Sequence, residues 1–164
     1  MTIGELNRLG APEFVGAVGW VFEHSPWVAE RASTGRPFAD LDALHAAMTD
    51  QVERATLAEK LALLNAHPDL GARARLSQAS NAEQAGAGLD SLTPTEFEQL
   101  NRLNAAYRAR FGFPFLLAVK GSTKHDILRA LQARIQASPE DEYREALRQV
   151  YRIARFRLEG VIGS

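Results

Sequence analysis

The chain contains no cysteine. Disulfides, thiolate metal sites and cysteine nucleophiles are therefore excluded, and redox usage does not mark a compartment. It also lacks an excess of either charge, with 19 Lys and Arg against 20 Asp and Glu and a formal net charge of -1. The arginines are scattered among acids, which leaves no electrostatic footprint for a phosphate backbone, and no nucleic-acid partner is expected. Apolar runs fall far short of the ~18 residues that a membrane span needs, so no membrane partner is expected. Met1-Thr2-Ile3-Gly4-Glu5 is not a basic-then-apolar leader and Val161-Ile162-Gly163-Ser164 is not the peroxisomal tripeptide, which makes the cytoplasm the expected location. Also missing are H-E-x-x-H, a phosphate loop, a dinucleotide fingerprint and G-x-S-x-G, so the common metal, nucleotide and serine-hydrolase classes lack support and no metal site is expected.

What is there is an ordinary globule: 164 residues, 46% hydrophobic and 24% charged, the size of one domain covering 1–164 with enough apolar content for a core. Helix-start chemistry recurs along it, at Thr2 with Glu5, Ser25-Pro26, Thr56 with Glu59, Thr93-Pro94 with Glu96, and Ser138-Pro139 with Asp141. Each places a hydroxyl where it can accept from free backbone amides, with an acid or a proline in the first turn. Between the starts the apolar spacing is helical, as in Leu41, Leu44, His45, Met48 and Val52, and again in Phe97, Leu100, Asn104, Tyr107 and Phe111. Stops stand at Gly10, Thr34 to Pro37, Pro68 to Gly71, Gly86, Gly88 and Gly112. The reading is an all-α, single-domain bundle of about eight helices.

One stretch breaks the pattern. Phe113-Pro114-Phe115-Leu116-Leu117-Ala118-Val119 is too apolar for a surface loop, and a single such run cannot make a sheet. It is read as buried extended backbone near 113–119, whose amides and carbonyls must find partners.

Four histidines are present, and only His67 sits in an irregular segment. Pro68 pushes it out of helical geometry, so a helix over 57–66 ends there and presents the imidazole from its terminus. An imidazole that titrates near neutrality can move protons on a small polar substrate, but it can also cap a helix or bond a core carbonyl. Ser80-Asn81-Ala82-Glu83 has the form of a capping box, which makes Glu83 structural. The helix so capped would be only about six residues before Gly86, however, and a short start of that kind also suits a polar-ligand cradle. Arg157 stands out by geometry. At about 100° per residue, Leu147, Val150, Ala154, Leu158 and Val161 fall on one arc with Arg157 at its edge, while Arg148, Arg152 and Arg155 fall well outside it. A buried arginine needs an acceptor, which can be an internal carboxylate, a helix terminus or a substrate group. Tyr107-Arg108-Ala109-Arg110 reads as a helix end with solvated arginines, and Trp20, Phe22 and Trp27 as core.

His67-Pro68-Asp69-Leu70-Gly71, Ser80-x-x-Glu83-Gln84 and Arg110-Phe111-Gly112-Phe113-Pro114-Phe115 stand in this order, with Phe22-Glu23-His24-Ser25-Pro26-Trp27 before them and Arg157-Leu158 after. On these motifs the chain closely resembles the 2-oxo-4-hydroxy-4-carboxy-5-ureidoimidazoline (OHCU) decarboxylases of purine breakdown, over nearly its whole length. The resemblance implies an all-helical fold usually found as a homodimer, and a cofactor-free decarboxylation of a small ureidoimidazoline that yields (S)-allantoin on the route from urate. It implies catalytic roles for His67 and Glu83. It places Pro68, Ser80, Asn81, Ala82, Gln84 and Arg157 against the substrate, with main-chain groups of Phe115, Leu116, Leu117, Ala118 and Val119 lining the pocket. The alternative is a helical protein-interaction module without activity, in which His67 caps a helix, Arg157 closes an internal ion pair and a groove along 113–119 takes a partner helix or peptide.

Overall fold

Thr2, Thr56, Thr93 and Ser138 begin helices as their positions predict. The structure, a computed structural model, describes residues 1–71 and 78–163 apart from the side chains of Gln78, Ser80 and Asn81. Thr2 and Thr93 form complete capping boxes with Glu5 and Glu96, and Thr56 exchanges the same two bonds with Glu59. Ser138 Oγ accepts from Asp141 N at 3.2 Å.

Nine α-helices, rather than eight, occur among the described residues: α1 (Ile3–Asn7), α2 (Ala11–Val18), α3 (Trp27–Ala32), α4 (Leu41–Glu53), α5 (Leu57–Ala66), α6 (Gln78–Gly86), α7 (Pro94–Phe111), α8 (Lys124–Arg134) and α9 (Pro139–Val161). Single 3₁₀ turns lie at Gly19–Val21 and Ser33–Gly35, and no strand is present among those residues. One start that the sequence reading passes over is Thr123, where Asp126 replaces the usual glutamate in a capping box. Ser25 is a correction of the opposite kind. Its hydroxyl donates to Glu23 O at 2.8 Å, and α3 opens after Pro26 with no side-chain cap, because the preceding turn takes the hydroxyl first. Trp20 is also not core: it is 43% exposed, its indole N–H already satisfied by Ala17 O at 3.0 Å.

The chain divides into two compact units. The first is Met1–Ala66 with Tyr151–Ser164, and the second is His67–Val150. In the first, α3 packs on α2 and α4 around fully buried Phe14, Val18, Phe22, Val28, Leu44 and Met48. Of the stripe predicted on α4, Leu44, Met48 and Val52 are buried and Leu41 and His45 half-buried, with His45 Nε2 2.8 Å from Tyr151 O.

In the second unit α7 packs on α8 and buries Leu100, Asn104 and Tyr107. It stops at Gly112, whose φ of 80° is left-handed and whose N–H donates to Arg108 O at 2.8 Å. The backbone at 114–119 is neither helix nor strand, and every residue from Phe113 to Val119 except half-buried Leu117 is buried.

The caps make the termini of α5, α7 and α8 acid-sensitive. Hydrogen bonds from Arg31 and Thr56 hold Glu59 at a pKa of about 2, and bonds from Lys124 and Thr93 hold Glu96 at about 2. Asp126 is lowered by the Thr123 amide and Arg129. A carboxylate depressed in the folded state stabilises fully above its ordinary pKa, 4.5 for glutamate, and that contribution fades as pH falls through the folded value. Thermal melts at low ionic strength are therefore expected to lose stability from pH 4.5 down to about 2, and Glu59→Gln should flatten part of that slope.

Candidate active site

His67 lies where the break after α5 predicts. The helix ends at Ala66, His67 follows with 5% of its surface exposed, and Pro68 is half-buried. The loop from His67 to Gly71 is held by three side chains of its own unit. Arg108 pairs with Asp69 at 3.1 Å on the surface, Asn104 Nδ2 donates to Leu70 O at 2.9 Å, and Gly71 N donates to Gln84 Oε1 at 2.8 Å. The last two bonds take the carbonyl and the amide of a single peptide group, so the Leu70–Gly71 peptide is gripped from both ends.

Gly71 is required there on two counts. Its φ of +76° is left-handed, and a Cβ would stand 2.4 Å from Leu100 Cδ2 on α7. Gly71→Ala is expected to lower stability by about 1–3 kcal/mol, from left-handed strain and overpacking together. A urea midpoint unchanged from wild type would contradict the packing.

The Gly71 bond brings α6 against this loop. Glu83 on α6 is half-buried and Gln84 is 6% exposed, and it is the Gln84 amide that bonds the segment carrying the imidazole. Gln84 Oε1 is committed to Gly71, which leaves Nε2 as the donor end of that amide. Ser80 corrects the sequence reading. It is not an N-cap, because α6 opens at Gln78 and runs 9 residues, so position 80 lies inside the first turn. Gln78 and Ala79 are better helix formers than caps, and the helix is already under way at the serine. The Ser80 and Asn81 side chains lie outside the described residues, and Ala82 is exposed.

The 113–119 segment finds its backbone partners as expected. Arg134 donates through one terminal nitrogen to Leu116 O, Ala118 N donates to Gln149 Oε1 at 2.9 Å, and Ser122 N donates to Val119 O at 2.9 Å. Arg134 also stacks its guanidinium 4.5 Å over the Phe115 ring and donates from Nε to Glu142 Oε1 at 2.7 Å. Glu142 is buried and accepts from Tyr107 Oη at 2.5 Å. Burial, followed by the Glu142 carboxylate, pushes the Tyr107 hydroxyl far above its usual range, so it remains a donor.

Arg157 belongs to the first unit. It is buried on the α9 stripe as predicted, while Arg148 and Arg152 are exposed and Arg155 is half-buried. Of the acceptors left open for it, the internal carboxylate is present: Glu23 Oε2 lies 2.8 Å from a terminal nitrogen, with the two side chains 3% and 1% exposed. The other terminal nitrogen lies 3.4 Å from the carbonyls of Trp20 and Val21, which end a 3₁₀ turn.

Sequence reasoning missed Glu23, Asn104 and the Tyr107–Glu142–Arg134 cluster as organisers. Asn104 had a usable signal, since an amide on an otherwise apolar helical stripe is a polar group committed to burial. The amide gains little for the fold. Its Nδ2 bond is worth about 0.5–1.5 kcal/mol, while its buried Oδ1, which has no partner among the described residues, costs about 1–3 kcal/mol. No group of three or more His, Asp or Glu side chains able to hold a metal occurs among the described residues, and no helix among them is long and apolar enough to cross a membrane.

The family model for OHCU decarboxylase matches residues 7–159. The chain is 49% identical over 158 residues to the 2-oxo-4-hydroxy-4-carboxy-5-ureidoimidazoline decarboxylase of Haloferax volcanii, covering 96% of this chain and 94% of that protein. It is 45% identical over 161 residues to the uric acid degradation bifunctional protein of Bacillus subtilis, where it covers 98% of itself and 33% of the relative. Among solved structures, an (S)-allantoin synthase superposes with a TM-score of 0.83 at 38% identity, over 99% of this chain and 54% of that one. An OHCU decarboxylase solved in the presence of (S)-allantoin shares the fold, with a TM-score of 0.73 at 22% identity over 94% of this chain and the whole of that one.

Proposed function

We propose, since the chain belongs to the OHCU decarboxylase family, that it decarboxylates 2-oxo-4-hydroxy-4-carboxy-5-ureidoimidazoline to (S)-allantoin in urate degradation. The observation that carries this reading is the bond from Gly71 to Gln84, which ties the loop bearing buried His67 to the helix bearing Glu83. Family membership speaks for an enzyme over the interaction module.

The substrate supplies its own electron sink. As carbon dioxide leaves the hydroxyl-bearing carbon, the bonding pair moves toward the adjacent ring carbon–nitrogen double bond, the ring nitrogen takes up a proton, and an enol results. That carbon then becomes a carbonyl as its hydroxyl proton departs, and the neighbouring carbon accepts a proton on one face. The protein has to hold the carboxylate out of the ring plane and manage these three proton transfers. In our reading His67 is the proton carrier and Glu83 orients the imidazole or the substrate hydroxyl. Pro68, Ser80, Asn81, Ala82, Gln84 and Arg157 contact the substrate, and the 115–119 backbone supplies lining groups. No cofactor or metal enters this scheme. We further propose that residues 1–164 act as one domain, working as a cytoplasmic homodimer on a small molecule and without a nucleic-acid partner.

The test is to generate the substrate freshly and follow ultraviolet absorbance and circular dichroism together, before and after exhaustive chelation. Catalysed decay with a growing optical signal, unchanged by chelators, is expected. Decay at the uncatalysed rate to an optically inactive product would remove the assignment, and activity restored only by a divalent metal would remove the cofactor-free scheme.

A further inference from the structure

Two buried side-chain amides hold the two ends of one peptide group. Asn104 Nδ2 takes the Leu70 carbonyl at 2.9 Å, and the Gly71 amide is given to Gln84 Oε1 at 2.8 Å. Leu100, one helical turn before Asn104 on α7, packs against the same peptide closely enough to exclude a Cβ at Gly71. One face of α7 thus backs the loop with an apolar stop and a hydrogen bond.

The consequence falls on Gln84. A primary amide has an acceptor end and a donor end, and reversing it in place exchanges them. The Gly71 N–H can only donate, so its bond fixes Oε1 toward the loop and turns Nε2 the other way. That bond holds only while the Leu70–Gly71 plane keeps its tilt, and the tilt is set from the carbonyl side by Asn104. Because Asn104 leaves its own buried Oδ1 without a partner among the described residues, an apolar side chain of similar size would serve the core better. Packing does not explain the amide.

We propose that Asn104 is a positioning residue. Through the Leu70–Gly71 peptide it sets the Gln84 amide with its donor toward a ureido, ring or carboxylate oxygen of the substrate. This rests on the substrate-contacting role of Gln84 proposed above.

The test is a double-mutant cycle on kcat/KM with freshly generated substrate, per folded molecule, comparing Asn104→Leu, Gln84→Ala and the double variant. Each single variant is expected to lose about tenfold, close to 1.4 kcal/mol, with helical circular dichroism retained. The double variant should lose no more than Gln84→Ala alone. Gln84→Glu, which keeps the acceptor for Gly71 but removes the donor, should match Gln84→Ala. Multiplicative losses in the double variant, or a wild-type kcat/KM in Asn104→Leu, would overturn the proposal. So would an active enzyme indifferent to Gln84→Ala, which leaves the overall reaction standing. If the wild-type chain itself fails to accelerate decay, it is the proposed reaction that falls. The amide network is then read by nuclear magnetic resonance: in Asn104→Leu the Gly71 amide should exchange faster and the Gln84 side-chain NH₂ signals should shift, whereas exposed Arg102→Ala should move neither. Unmoved Gly71 and Gln84 signals in Asn104→Leu would overturn the linkage directly, and Asn104→Asp, of the same shape but without the donor when ionised, replaces Asn104→Leu should that variant not fold.

Discussion

His67→Asn is expected to cut stereospecific decarboxylation by at least about a hundredfold, the lower range of what a positioned acid–base group supplies. Asparagine keeps a polar side chain at the loop but cannot exchange a proton near neutral pH, so the change removes titration more than packing. Substrate absorbance should still decay at its spontaneous rate, while the optical signal of the product should disappear, because no group then delivers the proton to a single face. His67 is buried, yet it lies just past the end of α5 and not within it. Helical circular dichroism should therefore be retained. More than about a tenth of wild-type activity in this variant would take His67 out of proton transfer.

Arg157 carries the second large effect, and here fold and site share one residue. Removing the guanidinium in Arg157→Ala takes its buried arginine partner from the Glu23 carboxylate, whose side chain is 1% exposed. Breaking a buried pair in this way costs about 3–5 kcal/mol. For a chain of this size that corresponds to a fall in Tm of roughly 6–20 °C. Arg157→Lys keeps the charge beside Glu23 but loses the planar fork that also reaches the Trp20 and Val21 carbonyls. It should melt between wild type and Arg157→Ala, and lose at least about tenfold in kcat/KM per folded molecule, near 1.4 kcal/mol. Early melting with normal turnover per folded molecule would assign Arg157 to the fold alone. Normal melting with lost turnover would mean that the Glu23 pair contributes little to stability.

Local chemistry was open to reading from the chain alone. A hydroxyl followed three residues later by an acid announces a helix start through bonds that span three positions, and Thr2, Thr56 and Thr93 behave accordingly. Proline after His67 ends α5 at Ala66 by a clash with the preceding residue. The 3.6-residue period puts Arg157 at the edge of a buried stripe, and the apolar run at 113–119 declares itself buried by composition. Local patterns also mislead where two local options compete. Ser25 bonds backward to Glu23, and Gln78 opens α6 ahead of Ser80, since a hydroxyl that can cap can equally bond elsewhere.

What the chain alone could not supply is partner choice across distance. That Glu23, and no other acid, answers Arg157, or that Asn104 reaches the Leu70 carbonyl 34 residues away, depends on which helix faces come together. A buried polar group demands some partner, and its own sequence neighbourhood carries that demand. Packing selects the partner. The same holds for the Leu70–Gly71 peptide, where α7 presses from one side and α6 accepts from the other. Sequence thus determined which residues would be buried, bent or capped in this protein, because those follow from bonds between near neighbours. Tertiary structure decided which of them act on one another, because that follows from the shapes of surfaces built from distant parts of the chain.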